Sequence, residues 1–369
     1  DAMRDLQNLV EESPNDPNIS QVYALWGDGW KKMAETDPTN ANAHYDKAIE
    51  AYENAFKKAQ GDDVRRYVMD NLTDLYTSVS KWVELDTMWR SYLETVKDKD
   101  IDASLKAIYH IVNATKRQGK TEEAVKLIAD NVRPAINNPA MEQVEVLVQQ
   151  MCQLMVPKRR RVSTFAAAAS TTPPPAAGGD AAAAPAAPAA PPKPVDPAQE
   201  QAEWENKFAE LEKQVEEMLK PEQMTPTANA RIMFARGWLA RTMKLPEKAD
   251  RLFNLLIDVA NANDLSPMML FIVGDSARKR GDVDKAAACY ERLRTIFPNS
   301  EFSDSAPVGL GEIHYQKGEY DKALALFEEA TSEKYQGSGR LLDATLGKAK
   351  SLMKTGKLDE AYAEYDQIG

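Results

Sequence analysis

LFIVGDSARKRGDVDKAAACYERLRTIFP, Leu270 to Pro298, decides how the whole chain is read. A small residue, Gly274, is followed seven positions later by Gly281. Five more reach Ala286, four more Tyr290, three more Leu293, and the stretch stops at Pro298. Apolar positions recur at the i, i+3, i+4, i+7 spacing of a helix on both sides of Gly281. Glycine there takes the left-handed conformation that ends a first helix. Proline ends the second because it cannot extend the hydrogen-bond ladder. Small residues let two antiparallel helices approach where they cross, and large ones fill the space beside the crossing.

Working outward, the same frame returns. PVGLGEIHYQKGEYDKALALFEEA (Pro307 to Ala330) and TLGKAKSLMKTGKLDEAYAEYDQI (Thr345 to Ile368) carry turn glycines at 318 and 356, so successive turns lie 37 and 38 residues apart. Gly237, Ala249 and Phe253 fit an earlier copy, with Lys244 in the glycine slot and Pro246 opening the second helix. Gly119, Ala124 and Ile128 fit another, and Leu72, Tyr76, Trp82, Leu85, Trp89 and Tyr92 follow more loosely. Near the start, WGDGW (Trp26 to Trp30) resembles a hairpin turn, since Asp-Gly favours one. The frame instead makes it helix, with Gly27 at the crossing, both tryptophans in the core, and Asp28 alone facing outward. Two helical glycines cost roughly 1 kcal/mol each, and burying a large aromatic returns about 1.5–3 kcal/mol.

This spacing resembles the tetratricopeptide repeat. The longer copies, with FPNSEFSDSAPVGLGEIHYQKGEYDKALALFEEA, resemble a bacterial envelope subfamily that includes outer-membrane assembly lipoproteins and Tol–Pal accessory proteins. The resemblance implies an all-α solenoid of antiparallel helix pairs, with the periplasm or cell envelope as its setting. It also implies that first helices line a concave groove, at repeat positions 2, 5, 9 and 12. These are Arg231, Phe234, Trp238 and Arg241 in one repeat, and Met268, Phe271, Asp275 and Arg278 in the next. On the N-terminal side they are Lys106, Tyr109, Asn113 and Lys116. Aromatics, Met and Arg are enriched at interfaces, although the aromatics also suit a core between repeats. Relatives that bind chaperone C-termini use a Lys/Asn clamp. Here Asn113 fits its slot, Tyr109 replaces the lysine, and the neighbouring repeat offers Asp70 and Asp74. That departure argues against a chaperone-tail clamp.

The organisation is tripartite: a helical-repeat segment over 1–162, an Ala/Pro-rich tether over 163–197, and a second helical-repeat segment over 198–369. The tether, STFAAAASTTPPPAAGGDAAAAPAAPAAPPKPVDP, has too few large apolar side chains to offset its ordering entropy. It is expected to be disordered and, where rich in proline, to extend roughly 3 Å per residue. Residues 139–157 read as a first helix and 197–221 as a second. The tether therefore either interrupts one repeat or joins two solenoids, and the interrupted repeat is preferred. DAMRDLQNLVEESP places Ala2, Leu6, Leu9 and Pro14 at second-helix spacing. The chain thus opens mid-repeat, and neither end looks capped, as expected for part of a longer array.

Composition narrows the function. Among 369 residues the formal net charge is −11, which argues against general nucleic-acid binding. No apolar run reaches the length of a membrane span. Cys152 and Cys289 are isolated and read as packing residues. KDKDID spaces Asp98, Asp100 and Asp102 like a calcium loop, but Ala103 and Tyr109 stand where Gly and Glu belong, so a turn with a helix cap is expected. Lys158 to Arg161 form a basic run that reads as a solvated linker flank. No phosphate loop or nucleophile motif is present, and no catalytic residue, metal or cofactor is expected. The expected function is a non-catalytic scaffold that binds proteins or peptides, in a larger assembly. The alternative is the regulatory or substrate-recruiting part of an enzyme whose catalytic domain lies elsewhere.

Overall fold

The computed structural model describes residues 2–138, 142–157, 197–260 and 264–366. Apart from Pro197, the expected tether lies outside the described residues, as does the basic run Lys158 to Arg161. Among the described residues the chain is α-helical without strands. After α1 (Ala2–Glu12), the helices alternate as first and second members of pairs. On the N-terminal side these are α2 (Ile19–Thr36) with α3 (Ala41–Lys58), α4 (Asp62–Ser78) with α5 (Trp82–Val96), and α6 (Ile101–Arg117) with α7 (Thr121–Ala135). Next come α8 (Gln143–Met155) and α9 (Pro197–Leu219), on either side of the Ala/Pro-rich segment. Then follow α10 (Pro226–Thr242) with α11 (Pro246–Val259), α12 (Pro267–Lys279) with α13 (Val283–Ile296), α14 (Ser305–Gln316) with α15 (Tyr320–Ala330), and α16 (Leu341–Lys354) with α17 (Leu358–Asp366).

The turns are built alike. Gly119, Gly281, Gly318 and Gly356 all have φ between 77° and 82°, and Ser80 and Lys244 adopt the same left-handed region at 59°. At each, the next N–H reaches back five residues to a carbonyl of the first helix, as Asp282 N–H does to Ala277 and Leu245 N–H to Ala240. This closure satisfies carbonyls that a helix end would otherwise leave without partners. Asp100, Thr225, Ser266 and Asp282 cap the following helices through their side chains.

Helix crossings follow the small-against-aromatic rule. A Cβ on Gly27 would fall 2.7 Å from the Tyr52 ring, and one on Gly237 would fall 2.5 Å from Phe253. The Tyr290 ring lies between Gly274 of its own pair and Gly309 of the next, and Phe327 lies between Gly311 and Gly347 in the same way. One aromatic thus joins two repeats. WGDGW lies inside α2, as the frame requires. The tryptophans, however, are half-buried rather than core. Trp30 rests against His44 and under the Lys47 ammonium, and Trp26 lies beside Tyr23. Asp28 is no free outward group: it accepts hydrogen bonds from the hydroxyls of Tyr52 and Tyr67, each at 2.6 Å.

A single buried cluster runs from Ala24 to Ile313 and includes residues on both sides of the Ala/Pro-rich segment. There α8 packs on α7 and α10, while α9 packs on α7 and α10. Helix α10 is buried nearly all round, which is why its sequence shows little amphipathicity. Arg133 donates to the Met218 carbonyl at 2.9 Å, and Asn137 to that of Gln223 at 3.0 Å, so α7 and its following turn hold the end of α9 and the turn after it.

Candidate partner-binding groove

The first helices carry the positions expected to face a partner, and the structure separates these into three kinds. Arg231 and Phe234 are corrections to the expectation. Arg231 is 1% exposed: its Nε donates to Glu145 Oε1 at 2.7 Å and its Nη1 to the carbonyls of Ile136 (2.9 Å) and Asn138 (2.6 Å). Phe234 is fully buried against Phe253 and Trp238. Met268 is buried as well, with Gln149 Nε2 2.9 Å from its sulfur. These three hold α8, α10 and α12 together and present nothing to solvent.

A second kind sits at or near the surface and is mostly engaged by its own neighbours. Phe271 stacks on Phe302 at 5.6 Å. Trp238 is half-buried, and the exposed Arg241 guanidinium lies 5.3 Å from its ring centroid. Asp275 pairs with Arg278 at 3.1 Å and Lys279 at 2.6 Å, and Arg278 also reaches Glu312 of α14 at 2.8 Å. Burial alone would raise the Asp275 carboxyl, but hydrogen bonds from Lys279 and Arg278 hold it below the usual carboxylate range. On the N-terminal side Asn113 accepts from Gln150 Nε2 at 2.6 Å, which occupies the slot of the clamp asparagine. Lys116 is exposed.

The third kind lines a cleft. Lys106 and Tyr109 open onto a space of about 630 Å³ bordered by α4, α5, α6 and α8. That is within the range of small ligand sites. Four rings form a continuous array along it: Tyr92 edge-on to Trp89 at 5.8 Å, Trp89 stacked on His110 at 4.1 Å, and His110 edge-on to Tyr109 at 5.3 Å. Trp89 is fixed by its Nε1–H, which donates to Thr73 Oγ1 at 2.9 Å. Burial pushes His110 down to about 4, against the pull of Asp74, so the ring is neutral near pH 7. Asp70 lines the cleft, and its carboxyl is raised first by burial and then by Asp74 one turn away. Trp89 and His110 escape a sequence reading because Trp89 fits the core stripe of a second helix and His110 has no motif around it.

The remaining candidates fall outside the cleft's chemistry. Asp100 caps α6 through Ala103 N–H at 3.0 Å, and Asp102 pairs with Lys106 at 2.7 Å, as a turn with a helix cap should. Cys152 and Cys289 are buried, and burial raises both thiols to about 12, which keeps them protonated and inert. Among the described residues, no three His, Cys, Asp or Glu side chains gather as a metal site would need. Among them, too, no helix is long and apolar enough to cross a membrane.

The tetratricopeptide repeat family model matches residues 274–339 and 309–368. No curated protein matches the chain. Among solved structures, one similar chain is the Signal Transduction ATPase with Numerous Domains protein with a tetratricopeptide repeat sensor from Pyrococcus horikoshii. It is 14% identical with a TM-score of 0.41, over 95% of this chain and 46% of that one. Another is a tetratricopeptide repeat protein from Parabacteroides merdae, 14% identical with a TM-score of 0.34, over 88% of this chain and 98% of that one. The family model thus covers residues 274–368, and the described helices before them pack in consecutive pairs of the same kind, which makes the fold a tetratricopeptide-like solenoid.

Proposed function

We propose that the chain is a non-catalytic scaffold that binds partner proteins through the first-helix side of its solenoid. Tetratricopeptide repeats generally mediate protein–protein contacts, and that coarse role applies to residues 274–368. The finer reading rests on one observation: the cleft bordered by α4, α5, α6 and α8. It presents fixed aromatic faces beside charged groups, at a height in the repeat frame where Lys106 and Tyr109 were expected to meet a partner. Aromatic anchors in a pocket are what concentrate binding energy at protein interfaces. The groove positions on α10 and α12 are mostly spent on internal packing, so the N-terminal cleft carries the contact.

Cross-linking mass spectrometry on the full chain, affinity-purified from its source cells, tests the reading. The expected result is cross-links from one or a few partners to Lys106 and its surroundings. Partners that cross-link nowhere on the solenoid, or only to the helix ends, would overturn it. For the setting, the envelope reading rests only on the resemblance of the longer copies to envelope proteins, which the family match does not reach, and fractionation of the source cells would test it.

A further inference from the structure

Charge in the cleft is divided unevenly. Its two cations are already engaged: Arg66 with Asp63 at 2.8 Å, and Lys106 with Asp102 at 2.7 Å. Asp70 and Asp74 form no ion pair with a cation among the described residues, although Arg66, one turn before Asp70, partly offsets the charge of Asp70. They lie one turn apart on α4, the spacing at which like charges repel and destabilise a helix. Asp70 borders the aromatic array directly, and Asp74 acts on His110 within it. His110 contributes no positive charge of its own near neutral pH.

We propose that this cleft binds a lysine- or arginine-bearing segment of a partner protein. The cationic head pairs with Asp70 and Asp74, and its aliphatic stem lies along the rings of Tyr92, Trp89 and Tyr109. The inference rests on the groove reading above and deepens it by naming the partner's chemistry. Two features argue for it together. Two neighbouring carboxylates without an ion-pair partner among the described residues, only partly offset by Arg66, make a complementary seat for a cation, which gains further from the faces of Trp and Tyr. The rings are stacked and fixed before anything binds, so little ordering is lost on association. The polarity is opposite to a clamp that grips a terminal carboxylate: where such a clamp carries lysine, this cleft carries Tyr109 and, one first helix earlier, aspartates.

The test uses the full chain and two short fluorescein-labelled peptides, one alternating lysine with alanine and one alternating glutamate with alanine, read by fluorescence anisotropy. The lysine peptide is expected to bind, more weakly as salt rises, and the glutamate peptide to bind no better than background. The double substitution Asp70→Asn with Asp74→Asn is expected to weaken the lysine peptide by about tenfold. Asp70→Glu with Asp74→Glu is expected to keep most of the affinity. The Asn pair removes a repulsion within α4, so its melting temperature should not fall, which separates lost binding from lost folding. Equal binding of both peptides, no binding of either, or a lysine affinity unmoved by the Asn pair overturns the proposal. A chain with Ser at positions 158–161 that alone binds the lysine peptide would show the cleft is filled by this chain's own basic run, and would overturn the partner form. If partners still cross-link at the cleft while the Asn pair changes nothing, only the charge inference fails. If no partner cross-links there, the groove reading fails with it.

Discussion

Replacing Arg231 by Met removes a buried cation and leaves Glu145, itself 1% exposed, without its charge partner. The hydrogen bonds lost include one to Glu145 at 2.7 Å and two to the carbonyls of Ile136 and Asn138. Breaking one side of a buried ion pair costs roughly 3–5 kcal/mol, because the remaining charge stays desolvated. The loss falls locally, since each repeat contacts only its neighbours and the solenoid opens in parts. It falls where α8 meets α10, on opposite sides of the Ala/Pro-rich segment. About 4 kcal/mol corresponds to roughly a thousandfold in an opening equilibrium. Hydrogen-exchange mass spectrometry should therefore show amides of α8 and α10 exchanging about a thousandfold faster in Arg231→Met. Amides of α14 to α16 should be unchanged.

The double substitution Arg231→Met with Glu145→Leu separates two explanations. If the stabilisation is ionic, removing both charges spares the desolvation cost, and exchange should return most of the way toward the parent chain. If the arginine matters mainly by its volume, the double variant should be no better than the single. Single-variant exchange within tenfold of the parent, or a double variant as labile as the single, would refute the reasoning.

Gly309→Ala drives a methyl group into the Tyr290 ring, and overpacking of this kind costs about 1–3 kcal/mol; faster exchange in α13 and α14 is the expected readout, and an unchanged profile would count against the shared-aromatic crossing. Lys244→Gly relieves a left-handed non-glycine residue at φ 59°, so a gain of about 0.5–1 kcal/mol is expected in urea unfolding, the strain relieved exceeding glycine's entropy cost. His110 is held at about 4 when folded, against 6.5 unfolded. A depressed histidine means the unfolded chain binds the proton first, so stability is full above pH 6.5 and falls as pH drops toward 4. At pH 5 the loss is about 2 kcal/mol, seen as faster exchange in α5 and α6, and His110→Phe should remove that part of the pH dependence.

The pairing of helices was legible because its determinants are local. Gly281, Gly318 and Gly356 mark turns by needing positive φ, and Lys244 was identifiable as a glycine substitute from its place in the frame alone. Gly27 was legible too, since a small residue seven positions into a repeat has a defined crossing to fill. Arg231 and Phe234 were not. The frame tells which way a side chain points within an ideal pair, not how deeply the neighbouring pairs cover it. Here α8 covers α10 from a distance of 86 residues in sequence, and Glu145 supplies the counter-charge that makes a buried arginine tolerable. The tryptophans of WGDGW went the other way: although α2 packs on α1, α3 and α4, Trp26 and Trp30 stay half-buried beside Tyr23 and His44. The cleft was hidden for a third reason: it depends on rings from α5 and α6 meeting, and neither Trp89 nor His110 signals that contact in its own sequence.

The two ends of the groove use the same charged residue types to different effect. On α12 and α14 the charges close on themselves: Asp275 is shared by Arg278 and Lys279, and Arg278 reaches on to Glu312. A partner arriving there must displace pairs already made, and gains little for exposed charges. On α4 the carboxylates of Asp70 and Asp74 repel one another, and among the described residues no cation forms an ion pair with either, although Arg66 partly offsets the repulsion at Asp70; the rings beside them are already stacked. A cationic partner there relieves an existing cost instead of breaking an existing pair. On the proposed reading, recognition concentrates at the N-terminal cleft.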